Sequence, residues 1–171
     1  MLRLMPTTPS TSPAREPDWP ELRRVLVRFA TALARNADEA EDLTQQTFAA
    51  LLAKAPESAD HLGYARTTLT RLWLDRQRSL RRRLRVLRAA AAGMLDHKPD
   101  RDPLDTREQV ERARRAIEAL PPRQRAALVM RLVEGLDYDT IASTLGCDAG
   151  AVRSSLHLAR ARLRECLGDH A

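Results

Sequence analysis

The chain has 171 residues, of which 43% are hydrophobic, only 4% aromatic and 30% charged. That length suits one domain or two small ones, and no apolar run approaches the ~20 residues of a membrane span, so we expect a cytoplasmic protein without membrane insertion. Few aromatics and few glycines favour helices over sheets. The net charge of +6 favours an acidic partner such as DNA, although the base composition of a genome can produce the same arginine bias.

The N-terminal part predicts a tail followed by a helix. Residues 1–17 contain Pro, Thr and Ser without the apolar core of a secretory signal, so we expect a disordered tail. Asp18 can cap the first helix, and Glu21 completes a capping box. Apolar residues then recur at helical spacing, and Arg35-Asn36 ends the helix. The recurring residues are Leu22, Val25, Leu26, Phe29, Ala30 and Leu33.

The second predicted helix, from about Asp38 to Ala55, carries two stripes. Acidic residues crowd its first turns, where the helix dipole favours negative charge. One stripe is the expected core face: Ala40, Leu43, Thr47, Ala50 and Leu51. The other consists of Glu41, Gln45, Phe48 and Leu52. Its two large apolar residues contact either another core helix or a partner protein, and the spacing leaves both alternatives open.

The third predicted helix, His61 to Arg88, is strongly basic. It holds nine arginines and a single acid, Asp75. Tyr64 and Trp73 stand among the arginines, which adds the potential to stack on nucleic-acid bases. A solvated basic helix is the alternative. The apolar side comprises Leu69, Leu72, Trp73, Leu80, Leu84 and Leu87.

Residues 89–106 are typical of a linker. Two prolines, a glycine and mixed charges fall between Gly93 and Pro103 without apolar periodicity. The chain is therefore predicted to consist of two helical units, residues 18–88 and 107–168.

The second unit predicts a helix-turn-helix. Helices are expected at Thr106 to Ala119 and at Arg123 to Glu134, with Pro122 in a first turn. Asp137 caps a short helix that ends at Leu145, and a turn at Gly146 leads to a last helix capped by Asp148. Val152, Leu156, Ala159 and Leu163 recur on its inner side. The outward residues, which can enter a DNA major groove, are Arg153, Ser154, Ser155, His157 and Arg160.

Two motifs, in this order, resemble those of one family. Residues 40–48 (AEDLTQQTF) are similar to an acidic core-polymerase-binding helix with the pattern DLxQxxF. Residues 119–125 (ALPPRQR) and 134–142 (EGLDYDTIA) resemble the opening of a promoter −35 binding domain. A lone helix-turn-helix is shared by many regulators, whereas the two motifs together are specific. From about Trp19 to Leu167 the chain resembles a small bacterial sigma factor of the extracytoplasmic-function (ECF) type.

The resemblance implies an all-α fold of two small domains, a region 2 bundle and a region 4 helix-turn-helix, joined by a flexible linker. It implies that core RNA polymerase is a partner, through the large-subunit coiled coil and the flap. Promoter DNA is the second implied partner, and an anti-sigma factor is a third. The implied polymerase-binding residues are Glu41, Asp42, Gln45, Phe48 and Leu52.

The resemblance also assigns DNA-binding residues to both units. For melting and reading the −10 element, the candidates are Tyr64, Arg66, Arg71, Asp75, Arg78, Arg81 and Arg82. For the −35 element, they are Arg123, Tyr138, Ala151, Arg153, Ser154, Ser155, His157 and Arg160. The linker resembles the family's connector toward the polymerase active centre. Its aspartates fit a strand that mimics nucleic acid and a plain solvated linker equally well: Asp96, Asp100, Asp102 and Asp105.

The sequence departs from the family pattern at informative positions. Arg71 replaces a common Asn, as in the iron-siderophore-type branch, and the resemblance to that branch is a further expectation. In the last helix, Ala151 and Ser155 replace a usual Thr and Arg, and Leu158 replaces a basic residue. Fewer groups then remain to bind phosphates, which predicts weak −35 contacts or an unusual −35 sequence.

Two other functions stay open: a stand-alone helix-turn-helix regulator, and a sigma-like decoy that binds polymerase or an anti-sigma factor without initiating transcription. We do not expect an enzyme, a catalytic residue, a metal or a cofactor. Cys147 and Cys166 lack a CxxC partner, and no glycine-rich phosphate loop is present. The histidines are scattered along the chain: His61, His97 and His170 are expected to face solvent, whereas His157 lies on the outward side of the last helix, where it can touch a phosphate.

Overall fold

A computed structural model of the chain describes residues 17–54, 60–90 and 106–167, and the side chains of all these except 86–90 and 106–109. These residues form seven α-helices and no strand, which confirms the all-α prediction. Among the described helices, none combines the length and the apolarity needed to cross a membrane. The helices are α1 (Trp19–Leu33), α2 (Ala37–Ala53), α3 (His61–Ala90), α4 (Thr106–Ala119), α5 (Pro122–Val133), α6 (Tyr138–Leu145) and α7 (Ala149–Leu167).

Capping side chains start the first two helices. Asp18 accepts a hydrogen bond from the backbone N–H of Glu21 at 3.1 Å, as predicted. Glu21 itself pairs with Arg24. Asn36, expected only as the end of α1, instead caps α2 by accepting from the N–H of Glu39 at 2.8 Å. The predicted starts and ends of both helices fall within three residues of the observed ones.

The first unit, α1 to α3, packs around large side chains. Leu26, Phe29, Leu43 and Leu69 are fully buried. Trp73 is buried too, with only 1% of its surface exposed. The prediction that Trp73 lies on the apolar side of α3 is therefore confirmed, whereas its predicted potential to stack on bases is wrong, because the ring completes the core.

The second unit, α4 to α7, has the predicted turns. Pro122 occupies the first turn of α5, where its missing N–H has no intrahelical partner to lose. Asp137 caps α6 by accepting from the N–H of Thr140 at 2.7 Å. Gly146 ends α6 at φ 62°, a left-handed conformation that favours glycine. Asp148 accepts from the N–H of Ala151 at 2.8 Å and caps α7.

The two units pack against each other. Helices α5 and α6 of the second unit contact α1 and α3 of the first. Buried residues of both units form one continuous apolar cluster. The predicted tail, most of the predicted linker with its four aspartates, His97 and His170 lie outside the described residues.

Candidate polymerase and nucleic-acid interface

The stripe on α2 is exposed beside the core face. Leu43, Thr47 and Leu51 are buried, whereas Leu52 is 68% exposed. Phe48 is half-buried, and its ring centre lies 6.2 Å from that of Trp19 on α1. Phe48 of the stripe, Trp19 beside it and the exposed Leu52 thus form a small apolar surface. A single exposed apolar side chain is common in proteins and would need no explanation by itself.

The two acidic residues assigned to polymerase binding, Glu41 and Asp42, pair with arginines at the protein surface. Asp42 meets Arg76 of α3 at 2.7 Å, and Glu41 lies 3.6 Å from Arg23. Gln45 donates to Glu41 at 3.2 Å. Both carboxylates are about half exposed, so these pairs contribute little stability and can exchange for other basic groups.

Helix α3 exposes most of the arginines that were assigned to DNA. Asp75 pairs with Arg78 at 2.8 Å, and both side chains are mostly exposed. Tyr64 is half-buried and packs against the core. The exposed arginines of the predicted set are Arg71, Arg78, Arg81 and Arg82.

Arg66, also in that set, faces the second unit. Its Nε donates to Oε2 of Glu134 at 3.0 Å, and its Nη2 lies 3.0 Å from the same oxygen. Oε1 of Glu134 accepts from Arg28 of α1 at 3.2 Å. The Glu134 side chain is 1% exposed, against 16% for Arg66 and 60% for Arg28. One buried carboxylate therefore joins two arginines of the other unit.

Arg125 forms a second contact between the units. It is 5% exposed, and its Nη2 donates to the carbonyl oxygen of Ala34 at 3.2 Å. The guanidinium carbon lies 5.7 Å from the centre of the Trp73 ring. Burial lowers the pKa of the Arg125 guanidinium, and the carboxylates of Glu118 and Glu39 counteract that shift. The side chain stays charged at neutral pH, since its ordinary pKa is so high.

The recognition helix α7 exposes a short polar face. Arg153, Ser154, His157 and Arg160 are exposed, whereas Ala151 and Ser155 are half-buried. Leu158, which replaces the family's basic residue, is 48% exposed. The residues Val152, Leu156 and Ala159 are buried, as predicted.

Tyr138, at the start of α6, sits under two guanidinium groups. The guanidinium carbon of Arg131 lies 5.4 Å from the ring centre and that of Arg153 lies 5.7 Å away. Arg131 also donates to the carbonyl of Leu136 at 2.8 Å. Arg123, the remaining residue of the −35 set, is exposed at the start of α5.

Sequence reasoning missed Glu134, Arg28 and Arg125 as contact residues. Glu134 and Arg125 lie inside motifs that were noted for their family resemblance, yet no local pattern marks them as buried. One signal was available: an acid at the C-terminal end of a helix is disfavoured by the helix dipole, so Glu134 requires compensation. In the described ranges, no three His, Cys, Asp or Glu side chains cluster as metal ligands.

Known proteins match this arrangement. The protein-family model for Sigma-70 region 2 matches residues 20–83, and the family model for Sigma-70 region 4 matches residues 111–163. The ECF RNA polymerase sigma factor SigE of Mycolicibacterium smegmatis is 36% identical, over 92% of this chain and 65% of its own length. The ECF sigma factor EcfG of Rhodopseudomonas palustris is 30% identical, over 83% of this chain and 78% of its own.

A solved structure has a similar fold. The sigma factor RpoE of Bartonella quintana, crystallised in complex with the anti-sigma factor NepR, aligns with a TM-score of 0.64 and 25% identity. The alignment covers 88% of this chain and 94% of that one. The present chain spans just under two thirds of the length of the M. smegmatis relative, at 65%. Both halves of the fold and their order along the sequence place this chain in the ECF family of RNA polymerase sigma factors, which act in transcription initiation and are not enzymes.

Proposed function

We propose that this protein binds core RNA polymerase and directs it to specific promoters, where it helps melt the −10 element and contacts the −35 element. The observation that carries the proposal is the stripe on α2. Phe48 and Leu52 lie beside exposed carboxylates on a helix whose adjacent face is buried in the core. An apolar anchor ringed by charge is the usual composition of a protein-binding surface.

The proposed partner of the stripe is the coiled coil of a large polymerase subunit. Glu41 and Asp42 are available for basic residues of that partner, because their present arginine partners are exposed or only partly buried. Complementary charge orients the encounter, and the aromatic residue supplies most of the affinity. Attachment of the second unit to the polymerase flap is a finer proposal that follows from the family resemblance.

For the −10 element, we propose that α3 binds the separated strand. Melting costs unpairing and unstacking energy, which basic side chains on the backbone and a pocket for an extruded base can offset. Arg71, Arg78, Arg81 and Arg82 are exposed on this helix. Tyr64 and Asp75 complete the proposed surface, and Arg66 joins it only when released from Glu134.

For the −35 element, the proposed contacts are few. Arg153 leads them, with Ser154, His157, Arg160 and Arg123 as further exposed groups. Ala151 and Ser155 are half-buried and offer at most one hydroxyl group. If the −35 contacts are weak, much of the promoter specificity would come from the first unit, which is proposed to bind the −10 element.

The proposal also covers a regulatory partner, the location of the protein, the boundaries of its two units and its branch within the family. An anti-sigma factor is a proposed partner, because the B. quintana sigma factor was crystallised with NepR. We also propose a cytoplasmic location and the unit boundaries 18–88 and 107–168. The likeness of Arg71 to the iron-siderophore-type branch stays a prediction.

Transcription in vitro tests the proposal. Core polymerase and this protein would be combined on genomic DNA fragments, and the RNA start sites mapped. Specific start sites that require the protein are expected. Binding to core without start sites would favour the decoy, and binding to duplex DNA without affinity for core would favour a stand-alone regulator.

A further inference from the structure

Glu134 is a negatively charged residue in a position that is unfavourable for charge in two ways. It is the C-terminal cap of α5, where the helix dipole disfavours negative charge, and its side chain is almost completely buried. A buried unpaired carboxylate is strongly destabilising. Its ion-pair partners are Arg28 and Arg66, and both come from the first unit. The environment that stabilises this charge therefore exists only while the units are in contact.

The backbone holds Glu134 in this position. Gly135 follows at φ 67°, where a side chain would be strained, and the N–H of Leu136 bonds to the carbonyl of Met130 at 3.2 Å. Arg131 also holds the carbonyl of Leu136. The carboxylate thus projects from a fixed turn toward the first unit.

At Arg66, the carboxylate occupies the place that a phosphate would take. One edge of the guanidinium, Nε and Nη2, is engaged by Oε2 of Glu134. The same edge is suited to bind phosphate oxygens. Arg66 cannot direct that edge at Glu134 and at a DNA backbone together.

We propose that Glu134 is an internal competitor of promoter DNA for Arg66, and that its two ion pairs, together with the shared apolar cluster, hold the second unit closed over α3. The proposal rests on the proposed function only in assigning Arg66 to DNA. Contact of α6 with α3 extends the closure beyond this single residue. Release of Glu134 then frees Arg66 and weakens an interface that also contains the shared apolar cluster and Arg125.

The interface has features of one that opens. Within the described residues, three buried polar side-chain atoms lack a hydrogen-bond partner in the protein: Thr70 Oγ1, Trp73 Nε1 and Arg125 Nε. Arg125 lies over Trp73 between the units, and Thr70 is one turn away on the same helix. Each such atom destabilises the closed arrangement relative to a hydrogen-bonded one. Separation of the units would expose Arg125 to water, and that gain partly offsets the exposure of the shared apolar cluster.

The test compares Glu134→Gln with Glu111→Gln in the full chain. Both substitutions remove one negative charge, but among the described side chains Glu111 pairs with Arg114 of its own helix, at 3.4 Å, and with none of the first unit. Small-angle scattering is expected to give a larger radius of gyration for Glu134→Gln than for wild type, and no change for Glu111→Gln. Equal radii for Glu134→Gln and wild type would overturn the proposal.

The second readout is affinity for single-stranded DNA. The probe is a fluorescent 12-nucleotide DNA of random sequence at low salt. Glu134→Gln is expected to bind it about 5-fold or more tightly than Glu111→Gln, the lower end of typical coupling between sites. Opening without that gain would overturn the competition for Arg66.

Arg28→Ala tests the ion pairs without changing Glu134, in case the Glu134→Gln variant does not fold. It removes one of the two ion pairs from a residue that is 60% exposed and leaves Arg66 in place. A radius between those of wild type and Glu134→Gln supports the proposal, and a wild-type radius contradicts it. Failure of wild-type protein to support transcription would refute the proposed function, yet the scattering result would still stand.

Discussion

The guanidinium carbon of Arg153, on the recognition helix, lies 5.7 Å from the centre of the Tyr138 ring on α6. This stack connects the two helices of the helix-turn-helix at the end that faces DNA in the proposed complex. An arginine held over an aromatic ring loses fewer rotamers on binding, so Tyr138 can position Arg153 without touching a base.

We predict that Tyr138→Leu weakens binding to −35 duplex DNA by about 0.5–1 kcal/mol, roughly 2- to 5-fold, because the cation–π contact is lost. Tyr138→Phe keeps the ring and is expected to bind like wild type. Fluorescence anisotropy with a mapped promoter duplex measures both. Equal losses in the two variants would assign the effect to the hydroxyl group instead.

Arg153→Ala is expected to cost about 1–3 kcal/mol on the cognate −35 duplex if the guanidinium reads a base edge. The loss should then be much smaller on a scrambled duplex. Arg160→Ala, on the same exposed side, provides the comparison. A uniform loss across sequences, with a shallower dependence on salt, would make Arg153 a phosphate contact.

Phe48→Ala should lower the affinity for core polymerase by about 10-fold or more while the helical circular dichroism stays unchanged. Phe48 is only half-buried, at the edge of the core beside the buried face of α2. Leu132→Ala is the control, because it also shortens an apolar side chain, one that is 67% exposed on α5 and lies outside the stripe. Unchanged core affinity in Phe48→Ala would refute the assignment of the stripe.

Local chemistry explains which parts of this fold were predictable. The caps Asp18, Asp137 and Asp148 bond to an N–H three residues away, so the sequence contains both partners within one turn. The buried and exposed faces of α2 follow from helical spacing in the same way. Spacing also placed Trp73 correctly on the apolar side of α3, but it could not show that the ring would be covered completely and so be unable to stack on bases.

The contacts between units could not be predicted, because their partners are far apart in sequence. Glu134 and Arg28 are separated by 106 positions, Glu134 and Arg66 by 68, and Arg125 and Ala34 by 91. No periodicity connects residues at such distances. Only the packing of α5 and α6 on α1 and α3 makes them neighbours.

Arg125→Ala is expected to destabilise the protein by about 1–3 kcal/mol, since it leaves the carbonyl of Ala34 without its donor and a gap beside Trp73. Arg125→Met fills the gap without a buried charge, so it should cost less. Urea unfolding measures both, with Arg123→Ala as a control at an exposed position of the same helix. Wild-type stability in Arg125→Ala would mean that the desolvation of the guanidinium cancels its contacts.

The helix cap formed by Asp137 should make the stability of the folded protein fall at low pH. The N–H of Thr140 donates to its carboxylate and lowers the pKa of Asp137 below the ordinary value of 3.8. Because the folded-state pKa is the lower one, the stabilisation is fully present above about pH 4 and is lost as the pH falls through the folded-state pKa. Asp137→Asn retains an acceptor for Thr140 but cannot titrate. The difference in melting temperature between wild type and Asp137→Asn should therefore stay constant from pH 7 to about pH 4 and shrink below it.

Asp139→Asn removes a neighbouring exposed charge and leaves the cap bond to Thr140 intact, so it reports the effect of charge alone. A wild-type advantage over Asp137→Asn that persists unchanged well below pH 4 would contradict the assignment.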